Sequence, residues 1–246
     1  MPDTIHVAIL EDHPMITKGY EASLSNSPHI KMVGTANCGE DLFPLLAQHH
    51  VDLLLLDVEV PVSKVNRSPF PILAVIPKII QSYPSLYVLA ASMHNERSLI
   101  QAIMEQGASG YILKDDLKGM SELEAIITSI VNGGEIYISD DAHYELNKPR
   151  GKRRDVPLLT PRQLEAISLC GSYPNKSIAE LGELLHVTDS TPRNLLHMAY
   201  ARLGVRNRAA AVERARQLGL ITPPTSPPSI SDLQKQDETD KETVLH

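Results

Sequence analysis

Apolar runs of four to six residues, each closed by a polar side chain, recur through the first half of the chain. They are His6 to Leu10 before Glu11-Asp12, Val51 to Leu56 before Asp57, Leu86 to Ala91 before Ser92, and Gly110 to Leu113 before Lys114. Short runs rich in Val, Ile and Leu, apolar on both alternating faces, predict strands buried on both sides, as in a parallel sheet. A further strand near Lys31 to Val33 brings the count to five. Between the strands, residues 15–24, 39–48, 98–106 and 120–131 carry helix-like patterns. The alternation predicts an α/β fold, a doubly wound five-stranded parallel sheet.

The pattern changes after residue 135. From Ser139 to Leu158 apolar periodicity is lost and the basic run Lys148-Pro149-Arg150-Gly151-Lys152-Arg153-Arg154 appears, which reads as an exposed linker. From Leu159 onward the period is helical. Thr160-Pro161-Arg162-Gln163 supplies an N-cap threonine, a first-position proline and a third-position glutamine, a combination that satisfies the orphan amides of a helix start. Further helices are expected over 177–185, from about Thr191 to Leu203 where Gly204 ends it, and over Arg208 to Leu218. A short turn between the second and third matches a helix-turn-helix, whose second member lies in the DNA major groove. Residues 222–246 hold four prolines in their first seven positions, then a charged run without aromatics, and are expected to be disordered.

The side chains that close the strand-like runs form a chemical set. In an open parallel sheet, ligands bind beyond the carboxyl ends of the strands, so Glu11, Asp12, Asp57, Ser92 and Lys114 are expected to converge there. Clustered carboxylates suit Mg²⁺, a hard cation that retains waters and accepts a phosphate oxygen. A carboxylate beside such an ion can act as nucleophile toward a phosphoryl group, with the lysine and hydroxyl holding its oxygens. Taken singly, each of these residues has an ordinary reading as a cap, a turn former or a solvated charge.

Composition first obscures and then supports this division. The 246 residues carry a net charge of −7, which for one undivided body argues against nucleic-acid binding. Residues 1–150 hold 10 Lys and Arg against 19 Asp and Glu, residues 151–221 hold 11 against 6, and residues 222–246 hold 2 against 5. The basic middle is therefore the candidate for polyanion contact. Two cysteines, Cys38 and Cys170, are too few for a disulfide framework or metal cluster and read as small core residues. No apolar run approaches the ~18 residues of a membrane span. The start Met1-Pro2-Asp3-Thr4 does not read as a signal peptide, so a cytoplasmic protein without membrane partners is expected.

Glu11-Asp12-His13-Pro14, Asp57 followed by Pro61, Ser92-Met93-His94-Asn95-Glu96, and Gly107-Ala108-Ser109-Gly110-Tyr111-Ile112-Leu113-Lys114-Asp115 together resemble the receiver domain of two-component response regulators, a CheY-like fold. The resemblance implies that Asp57 is the phosphoacceptor. It assigns Glu11, Asp12, Asp57 and the backbone carbonyl of Glu59 to Mg²⁺, Ser92 and Lys114 to the phosphoryl group, and Tyr111 to the aromatic that reports phosphorylation. Leu159-Thr160-Pro161-Arg162, Asn175-Lys176-Ser177-Ile178-Ala179, Val187-Thr188-Asp189-Ser190-Thr191 and Arg202-Leu203-Gly204-Val205-Arg206-Asn207-Arg208 resemble the all-α, four-helix LuxR-type helix-turn-helix domain of the NarL/FixJ regulators. That resemblance implies readout of double-stranded DNA by Arg193, Asn194 and His197, and phosphate contacts from Lys176, Arg206 and Arg208.

The expected organisation is a receiver at 4–135, a linker at 136–156, a helix-turn-helix domain at 157–221 and a tail at 222–246. The implied partners are a sensor histidine kinase, DNA and a second copy of the chain in an active homodimer. A non-enzymatic regulator is expected; a protein-binding adaptor keeping both folds and a metal-dependent phosphohydrolase are the alternatives. Three departures from the family pattern stand out. Residues 62–71 lack glycine and contain Pro69 and Pro71, Pro192 falls early in the recognition helix, and Leu195 replaces a commonly polar residue.

Overall fold

The computed structural model describes residues 4–148, 158–186 and 190–223, without the side chain of Ser190. The basic run from Pro149 to Arg154, the residues 187–189 and the tail beyond 223 lie outside the described residues.

The strands are β1 (Ile5–Leu10), β2 (Ile30–Ala36), β3 (Leu53–Asp57), β4 (Tyr87–Ser92), β5 (Gly110–Leu113) and β6 (Tyr137–Ile138). They form one parallel sheet in the order β2-β1-β3-β4-β5-β6. The sheet thus has six strands rather than the five expected. The sixth is a half-buried two-residue strand, too short to leave an apolar run in the sequence, and it pairs Gly110 with Tyr137 and Tyr111 with Ile138. Alternation along each strand sends Val7, Ile9, Leu53 and Leu55 to one face and Ala8, Leu10, Leu54 and Leu56 to the other. The first face is covered by α1 (Pro14–Leu24) and by α6 (Leu123–Gly133), which follows the short α5 (Leu117–Ser121); α2 (Gly39–Gln48), α3 (Ile72–Ser82) and α4 (Arg97–Glu105) contribute to the core on the second.

The first part of the expected linker is folded onto the receiver. After β6, α7 (Asp140–Asn147) packs against α4 and β5 with Ala142 fully buried. Ser139, also buried, accepts a hydrogen bond on its hydroxyl from Leu113 N at 3.2 Å.

The second unit consists of α8 (Pro161–Ser172), α9 (Ile178–Leu184), α10 (Ser190–Leu203) and α11 (Arg208–Gln217). Reciprocal capping boxes start two of them, Thr160 with Gln163 and Ser177 with Glu180. Because α10 begins at Ser190, Pro192 lies in its first turn, where no intrahelical acceptor waits for its missing N–H. Gln163 Oε1 also accepts from Arg202 Nη1 at 3.2 Å, tying α10 to the start of α8.

The two units share one continuous core through α3 and α8. Polar contacts among the described residues fasten them: Asn66 Nδ2 donates to Ser172 O at 3.2 Å, Lys78 Nζ to Leu184 O at 2.8 Å, and the Ser98 hydroxyl lies 2.9 and 2.8 Å from the carbonyls of Leu218 and Gly219. Asn66 belongs to the proline-bearing loop 62–71. That loop is held by Ser63, whose hydroxyl accepts from Asn66 N at 3.0 Å, and by Phe70, whose N–H donates to Val60 O at 2.8 Å.

Candidate functional site

The order of strands reverses at β1, with β2 on one side and β3 on the other, so the crevice past their carboxyl ends is the switch point of the sheet. Glu11 follows β1 directly and Asp57 ends β3 in that crevice, and both are buried. Lys114, just past β5, reaches between them: its Nζ lies 2.7 Å from Glu11 Oε2 and 2.9 Å from Asp57 Oδ2. Burial alone would lower the lysine pKa, but Asp57 and Glu11 together outweigh it and hold the ammonium charged. Glu11 is pushed up to about 7, first by burial and then by the nearby Asp57 charge. Asp12 is likewise raised, chiefly by burial. The pocket thus holds more negative charge than its single lysine neutralises.

That surplus is what a cation would relieve. The carboxylate and imidazole atoms of Glu11, Asp12, His13 and Asp57 lie within 4.8 Å of one another. Asp12 Oδ1 and Asp57 Oδ2 are buried oxygens that receive no aligned hydrogen bond, although His13 Nδ1 and Lys114 Nζ stand 3.0 and 2.9 Å away. The other Asp57 oxygen, Oδ1, accepts from Glu59 N at 3.0 Å, which fixes the carboxylate's rotamer.

Ser92 is fully buried at the end of β4, and its hydroxyl accepts from His94 N at 3.0 Å. The fully buried Tyr111 on β5 donates its hydroxyl to His94 O at 2.6 Å. The His94 ring reaches back to Glu59, with Nε2 3.1 Å from Oε1, while Nδ1 lies 3.4 Å from Glu96. The Glu59 carboxylate, as acceptor beside the ring nitrogen, raises the imidazole pKa against the opposing effect of burial. His94 therefore joins Glu59 to both Ser92 and Tyr111, a linking role that the strand-end pattern does not reveal. His13 is a second such addition, visible in the sequence only as the neighbour of the acidic pair.

On the second unit, Arg193, Asn194 and His197 are all exposed on α10, at helical spacings that share one face. Arg206 is also exposed. Lys176 lies 3.5 Å from Glu180 and over the Tyr173 ring. Arg208 is placed otherwise than a phosphate contact requires. Its guanidinium donates to Lys176 O at 2.6 Å and to the carbonyls of Cys170 at 3.4 Å and Tyr173, closing the end of α8.

An acidic pocket with a buried aspartate, a bridging lysine and a strand-end hydroxyl, at the switch point of a parallel sheet, defines a receiver. The response regulator receiver domain model matches residues 7–127, so this part of the chain is a response regulator receiver domain. The chain's similarity to relatives of the NarL/FixJ type continues through the second unit. The transcriptional regulatory protein DegU of Brevibacillus brevis is 26% identical, the match covering 88% of this chain and 95% of that one. The probable transcriptional regulatory protein NarL of Mycobacterium tuberculosis is 28% identical, with 89% and 97% covered. The response regulator UvrY of Escherichia coli is 24% identical, with 90% and 98% covered. Among solved structures, one of two RcsB dimers bound to two parallel DNAs shares the fold at 21% identity and a TM-score of 0.55, covering 87% of this chain and 99% of that one. Among the described residues no helix is long and apolar enough to cross a membrane.

Proposed function

We propose that the chain is a phosphorylation-controlled, DNA-binding transcription regulator of the cytoplasm, with Asp57 as phosphoacceptor. The observation that carries the reading is the Lys114 ammonium held between Glu11 and Asp57 at 2.7 and 2.9 Å, in a pocket whose remaining charge is uncompensated. Glu11, Asp12, Asp57 and the Glu59 carbonyl would hold Mg²⁺, which supplies positive charge beside the phosphoryl oxygens. An Asp57 oxygen forms a bond to phosphorus as the bond from phosphorus to the histidine nitrogen of a sensor kinase breaks, and the released imidazole leaves with that electron pair. Lys114 and Ser92 hold the transferred oxygens, and engagement of Ser92 frees His94 N from its present acceptor. The change then reaches Tyr111 and Glu59 through His94.

Readout falls to α10. Arg193, Asn194 and His197 face the major groove, while Lys176 and Arg206 contact phosphates and set register. Arg208 leaves that set because both its terminal nitrogens donate to backbone carbonyls at and just beyond the end of α8. The relatives named above as transcriptional regulators, and the DNA complexes of the structural neighbour, support this reading. A homodimer on two half-sites follows from the same logic, and no enzymatic turnover is assigned.

Intact-mass analysis with Mg²⁺ and a small phosphodonor is expected to show one added phosphoryl group that Asp57→Asn abolishes. Gel-shift assays on genomic fragments at stated salt are expected to show tighter binding after phosphorylation. Binding in neither state would replace this reading with that of a protein-binding adaptor.

A further inference from the structure

A second group of metal-competent side chains lies at the other end of the sheet, around the amino-terminal ends of β1 and β3. Val7 pairs with Leu53, which sets His6 beside Asp52 at the starts of β1 and β3. The backbone fixes this placement: Asp52 N donates to His6 O at 2.8 Å, and Tyr87 N donates to Asp52 O at 2.9 Å. His6 N in turn donates to Asp52 Oδ2 at 2.7 Å, which orients the carboxylate. His6 Nδ1 then sits 3.1 Å from that oxygen, and His50 Nε2 sits 3.1 Å from the other one, Oδ1. The ligand atoms all lie within 4.8 Å of one another. The two rings meet edge to face, with centroids 5.5 Å apart at 69°, so their nitrogens converge without stacking.

We propose that His6, His50 and Asp52 bind a divalent transition-metal ion of the zinc type. Two imidazoles and one carboxylate form a borderline donor set suited to Zn²⁺, whereas hard Mg²⁺ selects oxygen alone. Zinc bonds of about 2.0–2.1 Å in a tetrahedron separate neighbouring ligands by roughly 3.3 Å; each imidazole nitrogen stands 3.1 Å from a different oxygen of Asp52 and the ligand atoms lie within 4.8 Å of one another, so a local rearrangement of the exposed His50 brings the three into one coordination sphere. Two of the ligands are held by the sheet. The third, His50, is 72% exposed on the connection between α2 and β3, leaving room for water at the remaining position. A bound ion would brace that connection against β1. The site is separate from the Asp57 pocket, and the proposal does not depend on the phosphoacceptor reading.

The test uses metal-stripped full-length protein titrated with ZnCl₂ by equilibrium dialysis, alongside His50→Gln and His13→Gln, the second reporting on zinc taken by the acidic pocket. The exposure of His50 makes its substitution mild for folding. His50→Gln is expected to weaken one zinc equivalent at least about tenfold, while His13→Gln retains it. The thermal midpoint of the unsubstituted protein is expected to rise with zinc, and that of His50→Gln to rise less. X-ray absorption at one equivalent is expected to show two imidazole ligands. No zinc binding by the unsubstituted chain, the same affinity and stoichiometry in His50→Gln, or loss of zinc only in His13→Gln would overturn the assignment.

Discussion

Ser98 and Gly219 meet across the boundary between the two units, the serine hydroxyl 2.8 Å from the glycine carbonyl. Ser98 lies on α4, downstream of Ser92 and His94 on the same stretch of chain, so the segment that touches the Asp57 pocket also grips the last turn of the second unit. Gly219 adopts φ +61°, and a Cβ there would stand 2.9 Å from Glu96 Cβ and 3.0 Å from Ser98 Oγ. Gly219→Ala therefore adds about 1 kcal/mol of backbone strain and pushes the surfaces apart. Small-angle scattering of the unphosphorylated protein is expected to show a larger radius of gyration for Gly219→Ala, and a smaller change for Ser98→Ala, which removes only a hydroxyl.

Substitutions at the two ends of the buried ion pair should act in opposite directions. Lys114→Ala leaves Glu11 and Asp57 facing each other without their cation and is expected to cost about 3 kcal/mol of stability. Asp57→Asn removes one of two repelling carboxylates and is expected to leave stability unchanged or raised. Urea denaturation at neutral pH, without divalent ions, measures both.

The raised pKa values of Glu11 and His94 give stability a defined pH trend. Glu11 is about 7 in the folded chain and 4.5 when unperturbed, so the folded state binds more protons in that window. Its contribution is fully present below 4.5 and is lost as pH rises to about 7. His94 is also raised, so its contribution is present below 6.5 and is lost as pH climbs through the elevated folded value. Denaturation midpoints should therefore fall between pH 4.5 and the neutral range. Mg²⁺ should flatten the Glu11 part, and His94→Gln should remove the later part.

Substitutions on the second unit separate the proposed DNA readout from scaffold. Arg193→Ala and Asn194→Ala are expected to cost roughly 1–3 kcal/mol of discrimination at individual base pairs. Arg206→Ala should weaken binding to all sequences alike and reduce the salt slope by about one. Arg208→Ala should instead lower the thermal midpoint of the unit, since it strips donors from the carbonyls of Tyr173 and Lys176. Competition gel shifts at several salt concentrations, with melting curves, distinguish the three outcomes.

Most elements with a single buried face, or with buried apolar strands, are legible in the sequence alone; α7, whose only buried residue is Ala142, is not. The strand-end residues Glu11, Asp57, Ser92 and Lys114 needed only the rule that ligands gather beyond parallel strands. Helix α3 was not legible, because Ile72-Leu73-Ala74-Val75-Ile76 shows no polar face, and Pro77 interrupts the run. The reason is physical: this helix belongs to the receiver core and also packs on α8. A helix apolar all round signals burial on more than one side. The inward turn of Arg208 and the central place of His94 were hidden for a different reason, since both depend on backbone carbonyls and amides that no side-chain pattern encodes.

The apolar flank of α3 sets terms for any dissection of the molecule. Ile72, Leu73, Ala74, Val75, Ile76 and Ile79 are all buried while the units are docked. A receiver cut off after α7 would expose whatever part of that surface α8 had covered, and such patches recruit partners or aggregate. The isolated fragment is therefore a poor stand-in for the receiver of the whole chain, and its solubility and self-association would report the missing neighbour rather than the signal.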